Sequence, residues 1–294
     1  MNQDTSNTSF RIHPLTRIGS VHLRVSTFHR TVPFYTDVLG LGIIDEAAHR
    51  LTLGVETEQP LIVLEETIGA IRKPARTTGL YHFAILVPSR IDLARLVMRF
   101  VETEYPVQGA SDHGVSEALY LADPDGNGIE VYADRPSDAW PREDGKLRMT
   151  TDPLDMAGLL NLLGTQKEAA GLPAGTRIGH IHLHVGHLAE AEAFYRERLG
   201  FDLMQRYGNS AAFLSAGGYH HHIGINTWAG VGAPPPPAQA VGLRHFTVHL
   251  PNRSALHALV DHLRRSEIVV HAEENGERIA DPSGNHILLT AAEA

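Results

Sequence analysis

The sequence predicts an α+β fold built from four βαβββ modules, and three observations predict it. The first is a duplication. RIGSVHLRV at 17–25 returns as RIGHIHLHV at 177–185, and FYTDVLGL at 34–41 returns as FYRERLGF at 194–201, both displaced by 160 residues. GLYHF at 79–83 returns as GLRHF at 242–246, and DPDGNGI at 123–129 as DPSGNHI at 281–287. The second is that each half divides again into two runs of the same strand and helix signals. The third is length: 294 residues suit about two domains.

The first module, 17–67, opens on a β-rich alternating strand at 18–25. A short helix follows at 31–39, with Pro33 in its first turn and Gly40 where it stops. Short strands follow at 51–53 and 61–64. The second module, 79–133, repeats this order. It has a strand at 81–87 and an amphipathic helix at 90–104, with Leu93, Leu96, Val97 and Phe100 at helical spacing. Strands at 117–122 and 128–133 flank the turn sequence Asp123-Pro124-Asp125-Gly126-Asn127-Gly128. Module three, 177–229, has a strand at 178–185, a helix at 188–199 and strands at 211–215 and 221–228. Module four, 241–291, has a strand at 243–250, a helix at 254–266 and strands at 277–280 and 286–289. Pro234 to Pro237 form a stiff connector. Consecutive modules are expected to pair, giving one domain over 1–134, a second over 177–294, and a linker at 135–176 with a short helix near 154–163.

Composition narrows the function. A hydrophobic content of 43% with 20% charged residues is that of a globular protein. The formal charge of −9 and the lack of any basic run argue against nucleic-acid binding. No cysteine is present, which removes disulfides, thiolate nucleophiles and Cys-bound metals. Any metal must therefore sit on the 19 histidines and the carboxylates. The polar N-terminal ten residues lack the apolar run of a signal peptide, and no stretch approaches a membrane span. A cytoplasmic protein without membrane contact is the expectation.

Strand alternation identifies candidate ligands. In the first half, His22, His82 and Glu130 each oppose the apolar face of a different strand. Two histidines and a carboxylate make the facial triad of non-haem Fe(II) sites, which leaves positions open for substrate. In the second half Leu288 stands where Glu130 would be. That half has its own histidine-rich face, and His182, His222 and His245 form a second candidate site suited to Zn(II). The run Gly217-Gly218-Tyr219-His220-His221-His222 has no role in this reading beyond that site.

The G-x-x-H-L-x-V and F-Y-x-x-x-L-G openings and the D-P-x-G-N closing turns resemble the vicinal oxygen chelate superfamily. That group contains glyoxalase I, bleomycin-resistance proteins and extradiol dioxygenases. The resemblance runs from Arg17 to Ala291 and implies two half-barrel domains. His113-Gly114, Tyr120, Asp123-Pro124, Gly126-Asn127 and Glu130 are similar to the pattern of bacterial catechol 2,3-dioxygenase-like proteins. The resemblance implies an iron ligand at Glu130, a substrate-contacting Tyr120, and His113 beside the substrate. Two features depart from it. Familiar two-domain members keep iron in the C-terminal domain, whereas the intact triad here is N-terminal. Their acid/base histidine comes from the last strand of the first module, and Leu61-Ile62-Val63-Leu64 has none.

The expected activity is extradiol cleavage of a catechol-like ring with O2, using Fe(II), with Mn(II) as the alternative metal. A glyoxalase-like metal-dependent isomerase or lyase and a non-enzymatic small-molecule binder are the other readings. The expected partners are a small aromatic substrate and O2, with no nucleic acid and no membrane. The superfamily also suggests a homo-oligomer.

Overall fold

The computed structural model describes residues 10–55, 60–165 and 172–292. The polar N-terminal segment weighed as a signal peptide lies almost wholly outside these residues. Module one contains β1 (Arg17–Val25), α1 (Phe28–Pro33) continuing as a π-helical turn over Phe34–Val38, β2 (Gly42–Ala47), β3 (Arg50–Gly54) and β4 (Pro60–Glu66). Module two contains β5 (Gly79–Val87), α2 (Arg90–Glu102), β6 (Gly109–Asp112), β7 (Ser116–Ala122) and β8 (Gly128–Asp134). A connection with the small hairpin β9 (Arg142–Glu143) and β10 (Lys146–Leu147), then α3 (Met156–Asn161), leads onward. Module three contains β11 (Arg177–His184), α4 (Leu188–Ala193) with a π-helical turn over Phe194–Arg198, β12 (Asp202–Tyr207), β13 (Ala211–Ser215) and β14 (Ile223–Asn226). Module four contains β15 (Gly242–Leu250), α5 (Arg253–Arg265), β16 (His271–Glu273), β17 (Gly276–Ala280) and β18 (His286–Ala291).

The helices follow their signals. Ser89 caps α2 by accepting from the Asp92 amide, and α2 buries Leu93, Leu96, Val97 and Phe100. Asn252 does the same for α5, which buries Leu259, Val260 and Leu263. The outer strands β2, β6, β12 and β16 escape the sequence reading, because they are short and only partly buried, so their alternation is weak.

Two eight-stranded sheets result, with orders β16-β17-β18-β15-β1-β4-β3-β2 and β12-β13-β14-β11-β5-β8-β7-β6. This corrects the expected domain pairing over 1–134 and 177–294. Modules one and four share one sheet, and modules two and three share the other. In each sheet the joint is an antiparallel pair of first strands, β1 with β15 and β11 with β5. The repeats leave this pairing unspecified, because the first strands of all four modules carry the same alternation.

Consecutive modules are joined in another way. Tyr35 of module one donates its hydroxyl to Asp123 of module two at 2.8 Å. Tyr195 of module three donates likewise to Asp281 of module four at 3.0 Å. Each aspartate also closes its own turn: Asp123 accepts from the amides of Asp125 and Asn127, and Asp281 from those of Ser283 and Asn285. The F-Y and D-P-x-G-N motifs are therefore one structural device. Burial raises the pKa of both aspartates, against the hydrogen bonds they accept. A single apolar cluster runs from Val21 and Phe83 to Ile181 and Phe246, through both sheets.

Two predictions follow from this architecture. A Cβ on Gly128 would lie 2.1 Å from the Tyr81 carbonyl oxygen, on the strand that β8 pairs with. Gly128→Ala is expected to destabilise the protein by roughly 2–3 kcal/mol, and an unchanged denaturant midpoint would refute the close approach. In the first sheet the rings of His22 and His245 stack at 3.9 Å. Burial, then His245, lowers His22 to about 3. Burial, partly offset by Glu273, lowers His245 to about 4. The unfolded chain binds these protons near pH 6.5, before the folded one does. Stability is therefore expected to fall as pH drops from about 6.5 towards 4, by on the order of a few kcal/mol for the pair. His22→Phe should make the melting temperature fall less steeply with acid, and an identical slope would count against the pair.

Candidate metal centre

The second sheet gathers the chemistry. In the β5–β8 register Ala84 lies beside Glu130, and in the β5–β11 register Ala84 lies beside His180. Glu130, Ala84 and His180 thus form a row across three strands, with side chains on one face. His82 sits two residues back along β5, so it shares that face. The small Ala84 lets the longer side chains meet over it. The Nε2 atoms of His82 and His180 each lie 3.1 Å from Glu130 Oε2. All three residues are buried, and among the described residues they form one group with donor atoms within 4.8 Å of one another.

Their electrostatics suit a cation. Burial by itself would raise Glu130, but His180 and His82 outweigh it and hold the carboxyl well below its usual range. Burial lowers His180 to about 4 despite Glu130, so its ring is neutral at pH 7. His82 Nε2 is buried beside the carboxylate without hydrogen-bond geometry to any partner. An orphaned imidazole nitrogen, a second neutral imidazole and an anionic oxygen on one face fit a divalent metal.

Through His82 and Glu130 the group borders a cavity of about 380 Å³. Tyr120, on β7 beside Glu130, projects into it and accepts or donates a 2.6 Å hydrogen bond with His113 Nε2. His113 Nδ1 faces the Thr150 carbonyl at 2.7 Å, so that nitrogen carries the proton. In the neutral ring Nε2 is then the acceptor and Tyr120 the donor. Burial, then Glu130, raises the Tyr120 phenol well above its ordinary value. Residues 149–151 line the same cavity, so the expected linker contributes to the site. Backbone bonds between Asp112 and Asp152 lay this segment along β6. Gln205 clamps it by taking the Met149 amide at 2.6 Å and giving to its carbonyl at 3.0 Å.

His221 also lines the cavity, its ring centroid 4.0 Å from that of His180. Burial, then His180 and His220, lowers its pKa well below the usual value. Its Nδ1 lies 2.9 Å from His220 Nδ1, and His220 Nε2 lies 2.9 Å from Asp134. With its Nε2 proton on Asp134, His220 accepts at Nδ1. His221 then donates its Nδ1 proton and keeps the Nε2 lone pair.

The model of the Glyoxalase/Bleomycin resistance protein/Dioxygenase superfamily matches residues 17–131 and 177–289. The chain belongs to this superfamily. Within it, the chain is 45% identical over 280 residues to the catechol-2,3-dioxygenase of Bacillus subtilis strain 168, covering 94% of this chain and 98% of that protein. It is 31% identical over 125 residues to biphenyl-2,3-diol 1,2-dioxygenase 3 of Rhodococcus globerulus, covering 40% and 63% respectively. The structure of glyoxalase I from Zea mays shares the superfamily fold with a TM-score of 0.55 at 16% identity, covering 94% of this chain and 92% of that one.

The expected ligand sets need correction against this geometry. His82 and Glu130 come together, but His22 lies in the other sheet, where it stacks on His245 and meets Ser20 Oγ at 3.1 Å. His180 stands in its place. The second candidate set is not assembled either. His245 is in the first sheet. His182 Nε2 accepts from Asn226 Nδ2 at 2.9 Å, which occupies its lone pair. His222 Nδ1 accepts from Ser215 Oγ and the Ala216 amide and faces a different pocket. The histidine run is resolved instead into three separate roles, with His221 alone in the cavity. The G-x-x-H opening aligns His82 with His182, so the sequence marks His180 only by alternation, which puts it on the same face of its strand as His182.

Glu130→Ala and His180→Ala are each expected to weaken Fe(II) or Zn(II) binding roughly 100-fold or more, while His22→Ala keeps it. Metal titration of the three variants decides between the two triads, and loss of binding in His22→Ala would overturn the one described.

Proposed function

We propose that this protein is an extradiol-type dioxygenase that cleaves a catechol-like ring with O2, using Fe(II) held by His82, Glu130 and His180. The observation that carries the reading is the buried two-histidine, one-carboxylate face opening on an aromatic-lined cavity. The 45% identity to a catechol-2,3-dioxygenase over almost the whole chain supports it. Mn(II) would suit the same donors.

When bound, the metal supplies Lewis acidity towards two adjacent hydroxyls and the redox capacity that O2 requires. The chain's own residues do the rest. The three donors share one face of the sheet, and His82 and Glu130 border the cavity through which a diol would approach. Tyr120, fixed by His113 and through it by Thr150, stands beside Glu130 to hydrogen-bond the substrate. His221 presents a bare Nε2 to the cavity and is placed to take a hydroxyl proton and return it to the product. Asp134 and His220 hold that tautomer. Met149, Phe213 and Trp228 line the site and limit water. An isomerase of the glyoxalase kind would need a carboxylate base. Among the described residues Glu130 is the one carboxylate lining the cavity, and in this reading it belongs to the metal face.

Oxygen uptake with catechol after anaerobic Fe(II) loading, with appearance of the yellow ring-opened product, tests the reading. Absence of uptake by iron-replete protein would sink it. His221→Gln is expected to lower kcat by about 10²-fold or more with iron content unchanged. Asp134→Asn should lower kcat more mildly and leave KM near its original value. A His221 variant with full kcat would remove that residue from the chemistry.

A further inference from the structure

The cavity that carries the ring-cleavage reading also indicates which diols it admits. Its ligand-bearing strands β5, β8 and β11 lie at the centre of the sheet. From there it extends towards the β12–β13 arm and the 149–151 segment. The apolar and aromatic side chains of its lining are Val115, Met149, Phe213, Tyr207, Tyr81 and Trp228. Among the described residues no lysine or arginine lines it.

The arginines that border lining residues in sequence are committed elsewhere. Arg206 lies between Gln205 and Tyr207, and strand alternation turns it away from the cavity to bind Glu192 at 2.8 and 2.6 Å. Arg148 precedes Met149 and pairs with Glu143 at 3.2 Å. At the rim Trp228, Tyr207 and Tyr81 remain partly exposed, 47%, 60% and 39% respectively, and Tyr81 meets Trp228 edge-on with ring centroids 5.2 Å apart. A volume of about 380 Å³ is larger than one unsubstituted ring needs, so the outer part is left for a substituent.

Resting on the dioxygenase reading, we propose that the substrate is an uncharged catechol carrying an apolar alkyl or aryl substituent. Catechols with a carboxylate side chain are excluded. A carboxylate placed among these side chains would lose its water and find no lysine or arginine in exchange: the lining offers it neutral hydroxyls, and Gln205 is already engaged with the Met149 backbone. An apolar substituent would instead cover Phe213, Met149 and the rim aromatics.

The test uses full-length Fe(II)-loaded protein and two readouts. Anaerobic calorimetry measures binding without turnover, and oxygen uptake measures kcat/KM. The probes are 3-methylcatechol, 2,3-dihydroxybiphenyl, 2,3-dihydroxybenzoate and 3,4-dihydroxyphenylacetate. The expected result is that both neutral substituted diols match or exceed catechol, and both acids fall on the order of 100-fold below them in each readout. Tyr207→Arg, at an exposed position that tolerates the change, should narrow that gap at least tenfold. A carboxylated diol within tenfold of its neutral counterpart in unmodified protein overturns the proposal. If the neutral diols bind in preference to the acids but none consumes O2, the cavity preference stands and ring cleavage fails. If no diol binds, both fail.

Discussion

The site depends on one constraint, the antiparallel pairing of β5 with β11. That register sets His180 opposite Ala84, and the parallel register of β5 with β8 sets Ala84 opposite Glu130. Neither module holds the three donors alone. A slip of one residue would send His180 to the apolar face and leave Glu130 with a single partner. Ala84 matters as much as the ligands it separates, because a larger side chain there would fill the space that the donors share. The apolar faces of the same strands, with Phe83, Ile85, Ile129 and Ile181 in the core, fix the register. The chemistry therefore rests on ordinary packing on the opposite side of the sheet.

The duplication supplies an internal control. The β1–β15 joint has the same register as β11–β5, so equivalent places can be compared side by side. Where the second sheet has His180, Ala84, His82 and Glu130, the first has Ser20, Thr247, His245 and Leu288. Only one ligand type survives. Ser20 and Thr247 lie 3.3 Å apart at their hydroxyls, and His22 packs on His245. The loss of the carboxylate accounts for the rest. Without Glu130's charge, neutral histidines have no anion to gather round, and they stack instead.

Much of this was legible in the sequence. The repeats gave four modules because F-Y and D-P-x-G-N report a tertiary bond, Tyr35 to Asp123 and Tyr195 to Asp281, that must recur wherever the fold recurs. His82, Glu130, Tyr120 and His113 could be identified from alternation and from family resemblance, and they do converge on one cavity. The exchange of His22 for His180 was not legible, because it turns on which first strands pair. Strand alternation says which face a residue takes and nothing about which strand lies alongside. The contribution of residues 149–151 was hidden for a related reason. Their placement comes from backbone bonds to Asp112 and His113 and a clamp by Gln205, which leave no periodic pattern.

The Tyr-His-His-His run shows how a motif can carry several functions that composition merges into one. It lies just before β14, where the chain departs from regular pairing, so alternation does not apply and successive histidines can point in unrelated directions. His222 turns back to the Ser215 hydroxyl, His221 enters the cavity, and His220 lies between His221 and Asp134. Tyr219 completes the arrangement by donating to Asp134 and meeting Tyr132 at 2.7 Å. Asp134 ends β8, the strand that carries Glu130. The strand that supplies the candidate metal face with its anion thus also anchors the far end of the hydrogen-bond chain that holds His221. A shift of β8 would disturb the proposed ligand Glu130 and the proposed base His221 together, so module two fixes the geometry of both while module three supplies His180 and His221.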